Sequence, residues 1–164
     1  MKKYAALLVV LLVYISIISG CKKDDEPNQP TRTDILTGRE WKFQEIWAFN
    51  QNLTNLGITD YFGELANSNF KFNRDGSYTA TNRTTNDEVT GKWEFNSDET
   101  QLILNKGTSN ENTLGIVTLT DKNLDLRQTI DPASIDAATL PLQFRLLFST
   151  VTQPFPVDIK LIPA

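Results

Sequence analysis

Residues 67–83 read NSNFKFNRDGSYTATNR. Phe70 and Phe72 alternate with Lys71 and Asn73, Asp75-Gly76 interrupts, and Tyr78 and Ala80 then alternate with Thr79 and Thr81. A period of two places alternate side chains on opposite faces of a strand. Asp favours the start of a tight turn, and Gly accepts the positive φ that such a turn needs. The stretch is therefore a β-hairpin. Asn73, Asp75 and Ser77 also have the spacing that opens a calcium loop. That loop needs a bidentate acid at its twelfth position, where Thr84 stands, so the turn reading is preferred.

The same period extends in both directions. Downstream, EVTGKWEFN (88–96) puts Val89, Gly91, Trp93 and Phe95 on one face. TQLILN (100–105) offers Leu102 and Leu104, TLGIVTLTD (113–121) sets Gly115, Val117 and Leu119 against Leu114, Ile116 and Thr118, and KNLDLRQ (122–128) sets Leu124 and Leu126 against Asp125 and Arg127. Upstream, EWKFQEIWAFN (40–50) places Trp41, Phe43, Glu45, Trp47 and Phe49 on one face, with Ile46 on the other. At the C-terminal end, LQFRLLFST (142–150) reads as a strand with Phe144, Leu146 and Phe148 on one face, and PVDIKLI (156–162) as a final strand. Short strands separated by turn residues predict an antiparallel all-β meander, either a barrel or a sandwich, of about eight strands. Two connections interrupt it. Residues 51–66 are expected to carry a short helical turn around Tyr61 to Leu65. Residues 128–141 are expected to form a loop with at most a short helix, Asp131 capping it and Pro132 at its first position.

The chain has 164 residues, a net charge of −4, one cysteine and no histidine. Lys2 and Lys3 are the only charges in the first 20 residues, so the remainder carries −6. That balance argues against nucleic acid as a partner, because phosphate binding needs clustered Lys and Arg. The lack of histidine removes the Ser-His-Asp triad and imidazole metal ligands. The carboxylates Asp60, Glu64, Asp87 and Glu88 have no spacing that singles them out, so no catalytic residue, metal or cofactor is expected. One cysteine allows no internal disulfide, and a hydrophobic core must hold the domain.

The N-terminus explains that cysteine. A basic start, Met1-Lys2-Lys3, precedes the uncharged run AALLVVLLVYISIIS (5–19) and Gly20-Cys21. This is a signal-peptide pattern, and its apolar run falls short of the roughly 20 residues that span a bilayer. Ile18-Ser19-Gly20-Cys21 resembles the lipobox of bacterial lipoproteins, which implies cleavage before Cys21 and acylation of its thiol and new amino group. The implied partner is the membrane, reached through those acyl chains. Lys22-Lys23-Asp24-Asp25-Glu26, followed by Pro27 and Pro30, reads as a disordered tether. A lysine followed by acids behind the lipid cysteine also resembles the export signal of Bacteroidota-type surface lipoproteins. That resemblance implies an outer-membrane anchor, with the cell surface favoured over the periplasmic face. The expected organisation is a signal peptide over 1–20, a lipidated tether over 21–34 and a β domain over 35–164.

Within the β domain, Gly38 and Trp41, then Phe72, Gly76 and Tyr78, then Gly91, Trp93 and Phe95, then Leu102 to Leu104 and finally Leu124 and Leu126 follow one another in a recognisable order. This order resembles the lipocalin-like domains of Bacteroidota lipoproteins over roughly residues 36–127. The opening departs from it, with one residue more between Gly38 and Trp41 than the usual pattern. The resemblance implies an up-and-down barrel, whose interior either holds one small ligand or is filled by its own side chains. Under the first alternative the ligand is a small apolar or amphipathic molecule, and the candidate interior residues are Trp41, Phe43, Glu45, Trp47, Phe72, Tyr78, Trp93 and Phe95. Glu45 would need a partner there, for which Arg127 and Arg145 are candidates, or a bulge would turn it to solvent. Under the second, the domain is a non-enzymatic module of an envelope complex that recognises protein or glycan through its loops.

Overall fold

The computed structural model describes residues 29–58, 63–136 and 140–164. The expected signal peptide, Cys21 and the tether up to residue 28 lie outside the described residues, as does Asp60. The chain folds as a closed antiparallel barrel of eight strands with up-and-down topology. The staves are β1 (Glu40–Ala48), β3 (Ser68–Phe72), β4 (Ser77–Asn82), β5 (Glu88–Phe95), β6 (Gln101–Leu104), β7 (Asn112–Leu119), β8 (Leu124–Ile130) and β9 (Phe155–Pro163). The two-residue β2 (Gln51–Asn52) folds back on the end of β1. Each stave pairs with the next in sequence, and β9 closes the ring by pairing with β8 on one side and β1 on the other. Closure leaves no unpaired sheet edge among the staves. All these pairings fall within residues 40–163, so the barrel is complete without the leading segment.

The opening hairpin forms as its sequence predicts. Phe72 pairs with Tyr78 and Phe70 with Ala80. Gly76 takes φ 79°, and its N–H reaches the Asn73 carbonyl at 3.1 Å. The Asp75 carboxylate accepts from the Ser77 N–H at 2.8 Å and from its hydroxyl, so it serves the turn.

Gly91 has a different reason to be glycine. It lies opposite Tyr78, whose ring lies across its backbone. A Cβ at Gly91 would meet Tyr78 Cε1 and Asn105 Oδ1, each at 2.4 Å. Glycine in a strand interior often marks such an approach. Gly91→Ala is expected to cost about 1–3 kcal/mol by overpacking. In a Tyr78→Ala background the same change should cost measurably less, which a double-mutant cycle by urea denaturation checks.

A helix, α1 (Arg32–Thr37), closes the barrel's base. Thr31 and Asp34 form a reciprocal capping box, Thr31 N–H to the Asp34 carboxylate at 2.9 Å and Asp34 N–H to the Thr31 hydroxyl at 3.0 Å. Base turns then hold the helix. Arg74 of the β3–β4 turn pairs with Asp34, Arg32 lies 3.9 Å from Glu99 of the β5–β6 turn, and Arg39 donates to the Asp121 carbonyl of the β7–β8 turn. The Thr31 backbone N–H, then the Thr31 side chain and Arg74, hold the Asp34 carboxyl below its ordinary 3.8. A depressed carboxyl stabilises the fold above its unfolded value and loses that contribution as pH falls through the folded value. The difference between thermal melts of wild type and Asp34→Asn should therefore be present at neutral pH and shrink as pH falls below 3.8.

Two expectations about the strands are corrected. Residues 142–148 form a helix, α3 (Leu142–Phe148), not a strand. The segment LQFRLLF has no β-branched residue, and Leu, Gln and Arg are good helix formers. Helical spacing buries Phe144 and turns Leu146 outward at 68% exposure, so Phe144 and Leu146 do not share a face. The second correction lies in β1, where the register shifts between Phe43 and Glu45. Trp41 and Phe43 point inward before the bulge, and Ile46 and Ala48 point inward after it. The long aromatic face expected over 41–49 is thereby split. Elsewhere the expected connections appear, the second beginning after Ile130 because β8 runs on to that residue. Asp131 caps a short 3-10 turn, Pro132–Ser134, by accepting from the Ala133 N–H, and a helical turn α2 (Gly63–Ala66) lies in the β1–β3 connection.

Candidate functional site

Opposite the α1 base, the barrel's mouth is built from α2, the β4–β5 turn, the β6–β7 loop and the β8–β9 connection with α3. Helix α3 covers one side of it, where buried Leu140 and Phe144 join Phe148 and Phe155. Beneath this cover lies an apolar hollow of about 180 Å³, bounded by Ile46, Ile130, Phe148 and Val157 among others.

A second hollow, also about 180 Å³, lies inside the staves. Phe72, Leu102, Leu114, Leu126, Ile159 and Leu161 form its apolar wall, and Asn112 and Gln128 supply its polar atoms. One hydrogen bond links these two amides, Gln128 Nε2 to Asn112 Oδ1 at 3.3 Å. Towards the mouth, Leu65, Phe70 and Leu104 separate this hollow from an outer cleft of about 340 Å³ and line both. The cleft runs between α2 and the β4–β5 turn, and Tyr78, Ala80 and Val89 continue its apolar floor. Arg83 fixes its rim by donating to the carbonyls of Ala66 (2.6 Å) and Asn67 (3.3 Å).

The expected interior residues divide into three groups. Phe72 reaches the inner hollow and Tyr78 the cleft. Trp41, Phe43, Trp93 and Phe95 are inward but fill the barrel. Phe72 packs edge-on to Trp93 at 5.9 Å, and Trp93 edge-on to Phe95 at 5.3 Å, which uses their area for packing. Glu45 and Trp47 lie on the outer face, a correction that follows from the β1 bulge. Trp47 donates its indole N–H to Glu45 at 2.7 Å, and Lys160 sits 4.6 Å from the Trp47 ring centre and 3.9 Å from Glu45. Neither suggested arginine serves Glu45. Arg127 makes a two-pronged bond to Asp158 at 2.6 and 2.8 Å, and Arg145 Nε donates to the Leu140 carbonyl.

Sequence reading missed the aliphatic wall. Leu102, Leu104, Leu114, Leu126, Ile159 and Leu161 carry no chemical signature, and strand alternation was the one available signal. Of the four carboxylates noted in the sequence, Glu64 and Asp87 are brought to the cleft.

No protein-family model matches the chain, and no curated protein does. Among solved structures, a crystal structure of a DUF4847 family protein from Bacteroides vulgatus ATCC 8482 is similar. It shares 10% identity, the alignment covers 80% of this chain and 96% of that one, and the TM-score is 0.44.

Proposed function

We propose that this protein is a non-enzymatic, lipid-anchored outer-membrane lipoprotein, displayed at the cell surface, whose barrel binds a small apolar or amphipathic molecule. The observation that carries the binding reading is the inner hollow lying next to the cleft, with Leu65, Phe70 and Leu104 as their shared wall. The core has not closed on itself there, and the cleft reaches the lower end of the roughly 300–1,000 Å³ typical of small-molecule sites. The anchoring part of the reading rests on the lipobox-like Ile18-Ser19-Gly20-Cys21.

Native mass spectrometry of residues 29–164 tests the binding. A retained or acquired non-covalent mass is expected, and spectra that stay unliganded after incubation with medium-chain alcohols would count against it. Leu104→Trp should weaken uptake by roughly tenfold or more, because Leu104 lines both cavities and a larger side chain takes up their space, at a stability cost of about 1–3 kcal/mol. Protease shaving of intact cells tests display, and a fully protected protein would refute it.

A further inference from the structure

We infer that the cleft selects an amphiphile with a cationic head and disfavours fatty-acid-like anions. The inference rests on the proposed binding role of the barrel and concerns the charge of what is bound. The inner hollow offers an ionic head group no counter-charge, since it has no charged lining and its walls are mostly apolar. The base beyond it is closed by α1. An amphiphile therefore enters tail first and leaves its head in the cleft.

The cleft's neutral polar groups are partly engaged within the protein. The Tyr78 hydroxyl accepts from Asn105, the Ser68 hydroxyl donates to the Glu64 carbonyl, and the Asn82 side-chain carbonyl accepts from the Thr84 and Thr85 N–H groups. The carboxylates of Glu64 and Asp87 make no hydrogen bond or ion pair among the described residues. No lysine or arginine lines the cleft, and Arg83, the cation nearest in sequence, is committed to the Ala66 and Asn67 carbonyls. The charged groups that line the cleft are both negative and outnumber the single Arg83 charge at its rim, within a protein that is itself acidic. A cleft of one sign concentrates ions of the other and repels its own.

Isothermal titration of residues 29–164 at low salt with decyltrimethylammonium, decanol and decanoate, each below its micelle concentration, tests this. The ammonium probe should bind at least about tenfold more tightly than decanoate, with decanol between them and the gap narrowing as salt rises. Glu64→Gln with Asp87→Asn should bring the ammonium to the level of decanol, and a thermal melt matching wild type shows that the variant is folded. Decanoate binding as tightly as the ammonium, or a preference that survives the double substitution, would overturn the inference and leave the binding reading standing. Failure of all three probes to bind would overturn both.

Discussion

Trp41→Ala will remove roughly 3–5 kcal/mol of stability, a large share of the 5–15 kcal/mol typical of a folded domain. Trp41 is fully buried and lies in β1, the stave that closes the ring. It pairs with Phe70 of β3 on one side and Pro163 of β9 on the other. Its indole N–H donates to the Leu36 carbonyl of α1 at 2.9 Å, and the Arg39 guanidinium sits 5.8 Å from its ring centre. Truncation therefore opens a core cavity and also unties the base helix. Trp41→Phe separates the two effects. It keeps most of the apolar area but leaves the buried Leu36 carbonyl without its donor, at about 1–3 kcal/mol. Urea denaturation checks both, and an unchanged Trp41→Ala midpoint would remove Trp41 from its place at the seam.

Cys21→Ser will move the protein from the membrane fraction to the soluble or unprocessed fraction. Each buried methylene of an acyl chain contributes about 0.8 kcal/mol, and two chains are needed for stable anchoring. The chain holds no second cysteine to take the modification. Detergent phase partitioning and intact mass of the mature protein read the result. A Cys21→Ser protein that still partitions with detergent and is processed normally would defeat the lipoprotein reading. The barrel should be unaffected, because its strand pairings all lie beyond residue 39.

Strand periodicity made most of the barrel readable in advance. The Asp75-Gly76 turn, the Val89 to Phe95 face and the last strand all depend on neighbours within a few residues, and local steric preference decides those. The bulge after Phe43 was not readable as a fixed event. Nothing in EWKFQEIWAFN demands one extra residue between Trp41 and Ile46, and the shift arises where β1 meets β9. That shift moves Glu45 and Trp47 out of the proposed interior and brings Ile46 and Ala48 into it. The helix over Leu142–Phe148 was legible in composition, since β-branched residues are absent, but the apolar spacing also fits a strand over so short a run.

By itself, then, the sequence determined an acidic, histidine-free β chain with alternating strands, no internal disulfide and one cysteine in a lipobox-like setting. These properties depend on residue identity and on spacing within a strand or a motif. Only the tertiary structure decided that the last strand closes the ring on the first. It alone decided that Trp93 and Phe95 pack the interior while aliphatic side chains border the hollow, and that Glu64 and Asp87, far apart in the chain, meet at one cleft. Cavities and charge pairings are what remains after strands from distant parts of the chain have packed. Register, bulges and closure set them, and those follow from the summed fit of many side chains that no local pattern contains.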